Sequence, residues 1–195
     1  GIPFVTAKYA MSLDGKIATS AGESRWITGP SARKYAHELR KHSDAIMVGI
    51  GTVLSDNPKL TVRDDIEKPI SKQPVRLVVD TSCRTPESSS MLNEPGKTLI
   101  ATASTDQDKL DSLKQKNVCI EHVPTKDSVV DLNFLLNRLG EQEITSVLVE
   151  GGGTLLGSFL DLGLIDKIVA FVSPVIIGGI GAPSPIAGIG IEKID

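Results

Sequence analysis

Short apolar runs alternate along this chain with segments whose apolar residues recur at helical spacing. Strands are predicted for the apolar runs at residues 3–10, 45–50, 75–80, 97–101, 118–122, 144–149 and 168–172. Helices are predicted for residues 31–41, 106–116, the leucine stripe from 132 to 139, and 151–162. This alternation favours a mainly parallel sheet with helices on both faces, which is an α/β fold.

Composition limits what such a domain can bind. The 195 residues are 40% hydrophobic, which suits one domain over residues 1–195 with one good core. The formal net charge of −3 supplies no general basic field, so we expect neither nucleic acid nor an anionic membrane as a partner. No apolar run is long enough to cross a bilayer and no secretory signal is visible, which predicts a cytoplasmic protein.

The cysteines and histidines do not form a metal-binding pattern. Cys83 and Cys119 lie far apart and outside any CxxC pair, and the three histidines show no ligand spacing. We therefore predict two free thiols and no metal.

A glycine-rich turn follows the predicted strand at 144–149. Glu150 ends that strand, and Gly151, Gly152 and Gly153 open the next helix. Backbone N–H groups at such a helix start can cradle a pyrophosphate. The turn departs from the GxGxxG fingerprint, because Leu156 stands in place of the third glycine. A tight turn with a glycine cap explains the pattern equally well.

A second candidate segment, residues 49–58, starts at the end of the strand predicted at 45–50, and its residues 51–58 are interpreted as a loop. Its glycines permit close approach of a ligand, Thr52 offers a hydroxyl, and Asp56 offers a carboxylate. The segment could also be only a connection. Its position beyond a strand end, where open α/β sheets bind ligands, favours the functional interpretation.

Several polar and cationic side chains suggest a site for a phosphate. Arg40 and Arg63 would form bidentate bonds if they converged on one phosphate, with Lys8 and the Ser24 hydroxyl nearby. Isolated arginines are more often solvated surface residues. Trp26, the single tryptophan, has polar neighbours that favour a pocket wall over the core.

The chain resembles the pyrimidine reductase of riboflavin biosynthesis, which is the reductase half of the bifunctional bacterial deaminase/reductase. The stretches that carry the resemblance cover nearly the whole chain: PFVTAKYAMSLDGKIAT at 3–19, residues 22–63, PVRLVVDTSCRTP at 74–86, and residues 146–179. The resemblance implies a dihydrofolate-reductase-like α/β/α sandwich with a mainly parallel sheet. It also implies NADPH as the cofactor.

Site residues follow from the resemblance, residue by residue. The implied cofactor site comprises Ala10, Trp26, Thr52, Asp56, Thr81, Gly152, Gly153, Thr154, Leu155, Leu156, Gly157 and Ser158. The implied substrate site comprises Ser24, Arg40, Leu60, Arg63 and Glu150, with both arginines and Ser24 around the ribose 5-phosphate. Arg84 and Ser82 are candidates for the cofactor 2′-phosphate.

The implied reaction reduces 5-amino-6-(5-phosphoribosylamino)uracil to its ribitylamino product. The cyclic ribosylamine must open to an imine, and a positioned acid assists both the opening and the reduction, by about 10²–10⁴-fold. The candidate catalytic residues are Lys8, Asp56 and Glu150. We predict that Lys8 and Asp56 handle protons and that Glu150 orients the substrate.

Three alternatives remain open. The substrate could be the 2,5-diamino-6-ribosylamino-pyrimidinone phosphate, or a pterin or folate, although ITGPSAR and the two arginines favour the uracil compound. A nucleotide-binding regulatory domain without catalysis is the third. The family also implies a homodimer, fusion to a deaminase domain in the full-length protein, and final strands beyond Asp195, so we expect a C-terminally truncated domain.

Overall fold

The computed structural model describes residues 1–24, 27–63 and 68–194. Its strands are β1 (Phe4–Ser12), β2 (Ala45–Gly49), β3 (Val75–Val79), β4 (Thr98–Thr102), β5 (Val118–His122), β6 (Thr125–Lys126), β7 (Val129–Val130), β8 (Ser146–Val149) and β9 (Lys167–Ser173). Its helices are α1 (Pro30–Lys41), α2 (Ile50–Asp56), α3 (Gln107–Gln115), α4 (Leu132–Glu141) and α5 (Gly153–Asp161), with a short 3₁₀ turn at Ser90–Asn93.

Seven strands form one central sheet in the order β5-β4-β3-β2-β8-β1-β9. All of its neighbouring strands run parallel. The predicted α/β class with a mainly parallel sheet is therefore confirmed. The remaining two strands, β6 and β7, form a separate antiparallel ribbon.

Alternate side chains of the strands enter two cores on opposite faces of the sheet. On one face, Ala7, Met47 and Val149 pack with the leucines of α4 and with Phe159 of α5. On the other face, Ile46 and Val48 pack with residues of α2 and α3. The expected three layers of helix, sheet and helix are thus present.

The segment after β2 differs from the sequence interpretation. The sequence predicts a strand that ends at Ile50 and a loop from residue 51, but residues 50–56 form helix α2, because Ile50 and Val53 lie one turn apart and both enter the core. The helix ends at Asn57, which adopts the left-handed conformation with φ of 43°. The interpretation as loop was wrong for residues 51–56, although the segment still follows the end of a strand.

The ribbon β6–β7 was not predicted from the sequence. Its turn is formed by Asp127 and Ser128, which both have positive φ (52° and 67°), as two-residue hairpin turns require. Each strand is only two residues long, too short for an alternating pattern.

No helix in the described parts of the chain is long and apolar enough to span a bilayer.

Candidate active site

Four neighbouring strands of the sheet end at one cavity of about 1030 Å³. The carboxyl ends of β1, β2, β3 and β8 all contribute lining residues, among them Ala10, Gly49, Val79 and Glu150. This is the edge at which open α/β sheets bind ligands. The volume lies at the upper end of the range of roughly 300–1,000 Å³ that is usual for ligand pockets.

The glycine-rich turn forms one side of this cavity. Gly152 caps α5 in an extended conformation, and no side chain bonds to the open N–H groups of the first turn. A Cβ atom added to Gly152 would lie 3.2 Å from the Thr52 hydroxyl oxygen, so the space in front of it is narrow. A helix start without a side-chain cap, which glycine leaves open to close approach, suits a pyrophosphate, so these residues fit a dinucleotide cofactor.

Glu150 forms a buried ion pair with Arg40 of α1. The guanidinium donates two parallel hydrogen bonds of 2.7 Å, from Nε to Oε1 and from Nη2 to Oε2. The side chain of Glu150 is 7% exposed and that of Arg40 is 18% exposed. Burial opposes ionisation of Glu150, but Arg40 outweighs it, with help from Lys8 and His37, and lowers the pKa of Glu150 to about 2. Glu150 is therefore a carboxylate at neutral pH.

Lys8 lies beside this ion pair because of the strand register. Ala7 pairs with Val149 across β1 and β8, so Lys8 and Glu150 are the next residues along neighbouring strands. Ala7 and Val149 enter the same core, and alternation directs Lys8 and Glu150 to the opposite face. The Lys8 ammonium also lies 5.7 Å from the centre of the Phe171 ring, within cation–π range.

The two arginines implied for the phosphate meet at one buried residue, Thr61. Arg40 donates from Nη1 to the Thr61 carbonyl at 2.9 Å, and Arg63 donates from Nε to the Thr61 hydroxyl at 3.2 Å. Neither arginine belongs to the cavity lining, whereas Ser24 does. Leu60 is 3% exposed and packs in the core with α2 and α3.

Most residues implied for the cofactor site converge on the cavity. Those that line it are Ala10, Thr52, Asp56, Thr81, Gly152, Gly153, Thr154, Leu155, Leu156 and Ser158. Gly157 does not line it, because its Cα faces the Ala187 carbonyl, which an added Cβ would overlap. Trp26 lies outside the described residues. Arg84, one of the two candidates for the 2′-phosphate, also lines the cavity.

Two parts of the cavity wall were missed in the sequence. One is the Gly/Pro-rich segment near the C-terminus, which contributes Pro183, Pro185 and Ile189, and the other is the β6–β7 ribbon, which contributes Lys126 and Val129. Neither segment has a hydrophobic period to indicate where it packs. The only signal was the density of turn-forming residues at 178–190.

Cys83 and Cys119 are free thiols. Across residues 1–24, 27–63 and 68–194, no three His, Cys, Asp or Glu side chains come together as metal ligands.

Known proteins resemble this chain over nearly its whole length. A riboflavin biosynthesis protein RibD from Actinobacillus pleuropneumoniae is 43% identical over 99% of this chain and 51% of its own length. A 2,5-diamino-6-ribosylamino-4(3H)-pyrimidinone 5′-phosphate reductase from Methanothermobacter thermautotrophicus is 40% identical over 98% of this chain and 87% of its own length. The solved structure of RibD from Acinetobacter baumannii matches with a TM-score of 0.82 at 33% identity, covering 99% of this chain and 51% of that one.

The chain therefore spans about half the length of the RibD proteins that it matches. The family model for the RibD C-terminal domain matches residues 3–195. Together with the identities above, this match shows that the chain belongs to the RibD C-terminal domain family.

Proposed function

We propose that this domain reduces 5-amino-6-(5-phosphoribosylamino)uracil to the ribitylamino compound, with NADPH as the reductant, in riboflavin biosynthesis. The observation that carries the proposal is Lys8 beside the Glu150–Arg40 ion pair, on the floor of a cavity with a glycine-rich side. The names of the relatives, riboflavin biosynthesis protein and pyrimidinone phosphate reductase, support the same reaction class.

The residues around the glycine-rich turn would hold the cofactor. The first turn of α5 would bind the pyrophosphate, and the hydroxyls of Thr52 and Thr81 line the space beside it. When bound, NADPH would supply the hydride. The protein's own contribution is to hold the substrate against it and to exclude water.

Lys8 would supply the proton that ring opening and imine reduction require. Lys8 lies close enough to the Glu150 carboxylate to help lower the pKa of Glu150. Glu150 would not act as the acid, because a pKa near 2 leaves no proton on it at neutral pH. It would orient the substrate by accepting hydrogen bonds.

Asp56 suits a supporting role. Asp56 is the last residue of α2, so it lies about 9 Å along the helix axis from Ile50, where the helix starts beside the end of β2. Its side chain is exposed, lines the cavity and accepts a bond from the Ser55 hydroxyl at 3.1 Å. We assign it to the cofactor, and its predicted share in proton transfer stays a prediction.

The substrate phosphate would bind to Ser24, which lines the cavity, and to the guanidinium groups of Arg40 and Arg63, which lie outside the lining. Bonds to Glu150 and Thr61 occupy three of the five N–H groups of Arg40. We expect Arg63→Ala to raise KM for the phosphorylated substrate about tenfold and to leave KM for NADPH unchanged, since charge-assisted bonds to phosphate are lost. Initial rates with each substrate varied in turn check this. Equal changes in both KM values would contradict the assignment.

The direct test of the reaction follows NADPH oxidation by absorbance. The protein is supplied separately with the ribosylaminouracil phosphate, its diamino-pyrimidinone counterpart, and dihydrofolate. We expect turnover with the uracil compound. Turnover with the diamino compound alone would assign this chain to the other reductase reaction, and oxidation only with dihydrofolate would overturn the proposal.

We expect Gly152→Ala to weaken NADPH binding about tenfold, which is about 1.4 kcal/mol. The new Cβ would stand 3.2 Å from the Thr52 hydroxyl, in the space that a pyrophosphate needs. The backbone at Gly152 (φ −72°, ψ −176°) accepts alanine, so the thermal midpoint should change little. Fluorescence titration with NADPH measures the effect.

Gly29→Ala is the matched control. Gly29 caps α1 with nearly the same backbone angles (φ −74°, ψ 177°), and a Cβ there meets nothing within 4 Å. Its NADPH affinity should equal that of the unaltered protein. If the unaltered protein, Gly152→Ala and Gly29→Ala all bind NADPH with equal affinity, the glycine-rich turn does not approach the cofactor.

A further inference from the structure

Residues 177–190, here called the C-terminal strap, pass across the start of α5 at the cavity. Pro183, Pro185 and Ile189 of the strap belong to the cavity wall. A Cβ added to Gly153 would lie 3.1 Å from the Ser184 carbonyl oxygen, so the strap rests directly on the glycine-rich turn. The position of the strap therefore sets the width of the proposed cofactor site.

Little of the strap's apolar surface is buried, so burial does little to hold the strap beside the glycine-rich turn. It contains no helix or strand, and several of its apolar side chains face solvent, including Ile180 and Ile189. Ala182 is the one buried residue of the strap, and Ile186 is partly buried against the core formed with α4 and α5. Apolar packing alone is thus a weak determinant of its position.

Two carboxylates hold the two ends of the strap instead. Asp14 accepts hydrogen bonds from the backbone N–H groups of Ile177 at 3.0 Å and Gly178 at 2.7 Å. Asp161, at the end of α5, accepts bonds of 3.0 Å from the N–H groups of Ile189 and Gly190. Each carboxylate therefore binds two consecutive amides, about a dozen residues apart along the strap.

The carboxylates are anchored to rigid parts of the fold. The Ser12 hydroxyl, at the end of β1, donates to Asp14 at 2.6 Å, and Asp161 belongs to α5 itself. The Ser12 hydroxyl and the two strap amides lower the pKa of Asp14 to about 2, so it is ionised throughout the neutral range. Between the two ends, the Ala187 N–H bonds to the Gly153 carbonyl at 3.1 Å.

We propose that Asp14 and Asp161 are positioning residues for the dinucleotide, because they hold the strap as a wall of the cavity beside the glycine-rich turn. The inference rests on the proposed cofactor. If the bonds of Asp14 or those of Asp161 are lost, the strap lies beside the glycine-rich turn for a smaller fraction of the time. The apparent affinity for NADPH falls by that fraction.

Asp14→Asn is the decisive variant, because Asp14 does not line the cavity and binds the strap through two backbone amides. We expect its Kd for NADPH, measured by fluorescence titration, to rise about tenfold. We expect kcat at saturating NADPH to stay within about twofold, since the reacting groups are untouched. Asp161→Asn should behave alike, and Asp161→Glu, which keeps the carboxylate, should recover most of the affinity.

The direction of the change in Kd for NADPH distinguishes loss of the strap's position from a direct electrostatic effect of the removed charge. Removal of a negative charge near the site should strengthen binding of an anionic dinucleotide, whereas loss of the strap should weaken it. Asp44→Asn is the matched control, because Asp44 also accepts bonds from two consecutive backbone amides, those of Thr145 and Ser146, and lies outside the cavity lining. It should lower stability and leave Kd unchanged.

Hydrogen exchange gives a readout that needs no cofactor. The amides of Ile177 and Gly178 should exchange faster in Asp14→Asn, and those of Ile189 and Gly190 faster in Asp161→Asn. If the unaltered protein binds NADPH and both variants bind it equally well, this inference is overturned while the proposed function stands. Absence of NADPH binding by the unaltered protein would overturn both.

Discussion

Replacement of Lys8 by methionine should lower kcat by about 10²–10⁴-fold and change the Kd for NADPH by less than about twofold. Methionine keeps the length and the apolar stem of lysine and removes the ammonium. Lys8 is the cation next to Glu150 on the cavity floor, so its loss removes the proton donor while the glycine-rich turn stays intact. Single-turnover kinetics at saturating NADPH measure the chemical step directly.

Lys116→Met controls for the loss of a lysine elsewhere. Lys116 is exposed and follows α3, at the far edge of the sheet. This variant should turn over at the rate of the unaltered protein. Undiminished turnover in Lys8→Met would refute the proposed proton donor, and an equal loss of NADPH affinity and kcat would indicate a disturbed cavity instead.

Replacement of Arg40 by methionine should lower the free energy of unfolding by about 3–5 kcal/mol, because it leaves the Glu150 carboxylate buried without its partner. The Arg40 guanidinium donates two bonds of 2.7 Å to the Glu150 carboxylate, and both side chains are largely buried. Urea denaturation at pH 7 measures the loss. The double variant Arg40→Met/Glu150→Met, which removes both charges, should recover most of the stability.

The same pair predicts how stability depends on pH. The pKa of Glu150 lies at about 2 in the folded protein and at about 4.3 when a glutamate is unfolded. A lowered carboxyl pKa contributes stability that is complete above the unfolded value and is lost as pH falls toward 2. The unaltered protein should therefore lose more stability between pH 5 and pH 2 than the double variant does. Parallel pH profiles would contradict the depressed pKa.

The strands could be predicted from the sequence because they follow a simple period, whereas Lys8 and Glu150 were assigned to the site through the resemblance. Ala7 and Val149 alternate with Lys8 and Glu150, but the two charged residues come together only because β1 pairs with β8, which no local pattern predicts. Helix α2 was missed because it is only seven residues long and two buried residues, Ile50 and Val53, do not establish a period. Its glycine and threonine were nevertheless assigned to the correct end of the strand.

The pairing of Arg40 with Glu150 could not be predicted in the same way. The two residues are 110 positions apart, and the resemblance implied a phosphate as the partner of Arg40. Only the folded chain, and no local pattern, brings the guanidinium of Arg40 to Glu150. The position of the strap could not be predicted from the sequence either. It depends on the carboxylates of Asp14 and Asp161 and not on a pattern within residues 177–190.

The strand order has a consequence for how the chain becomes active during synthesis. Strand β1, which carries Lys8, lies between β8 and β9, and its first residue, Phe4, pairs with Ser146, about 140 residues later. Strand β1 therefore has no sheet neighbour until residues 146–173 have been synthesised. Such distant pairings slow folding, because a long loop must close before any contact forms. The lysine and the carboxylate come together only after β8 has been made, so a nascent chain that stops before residue 146 has no assembled site.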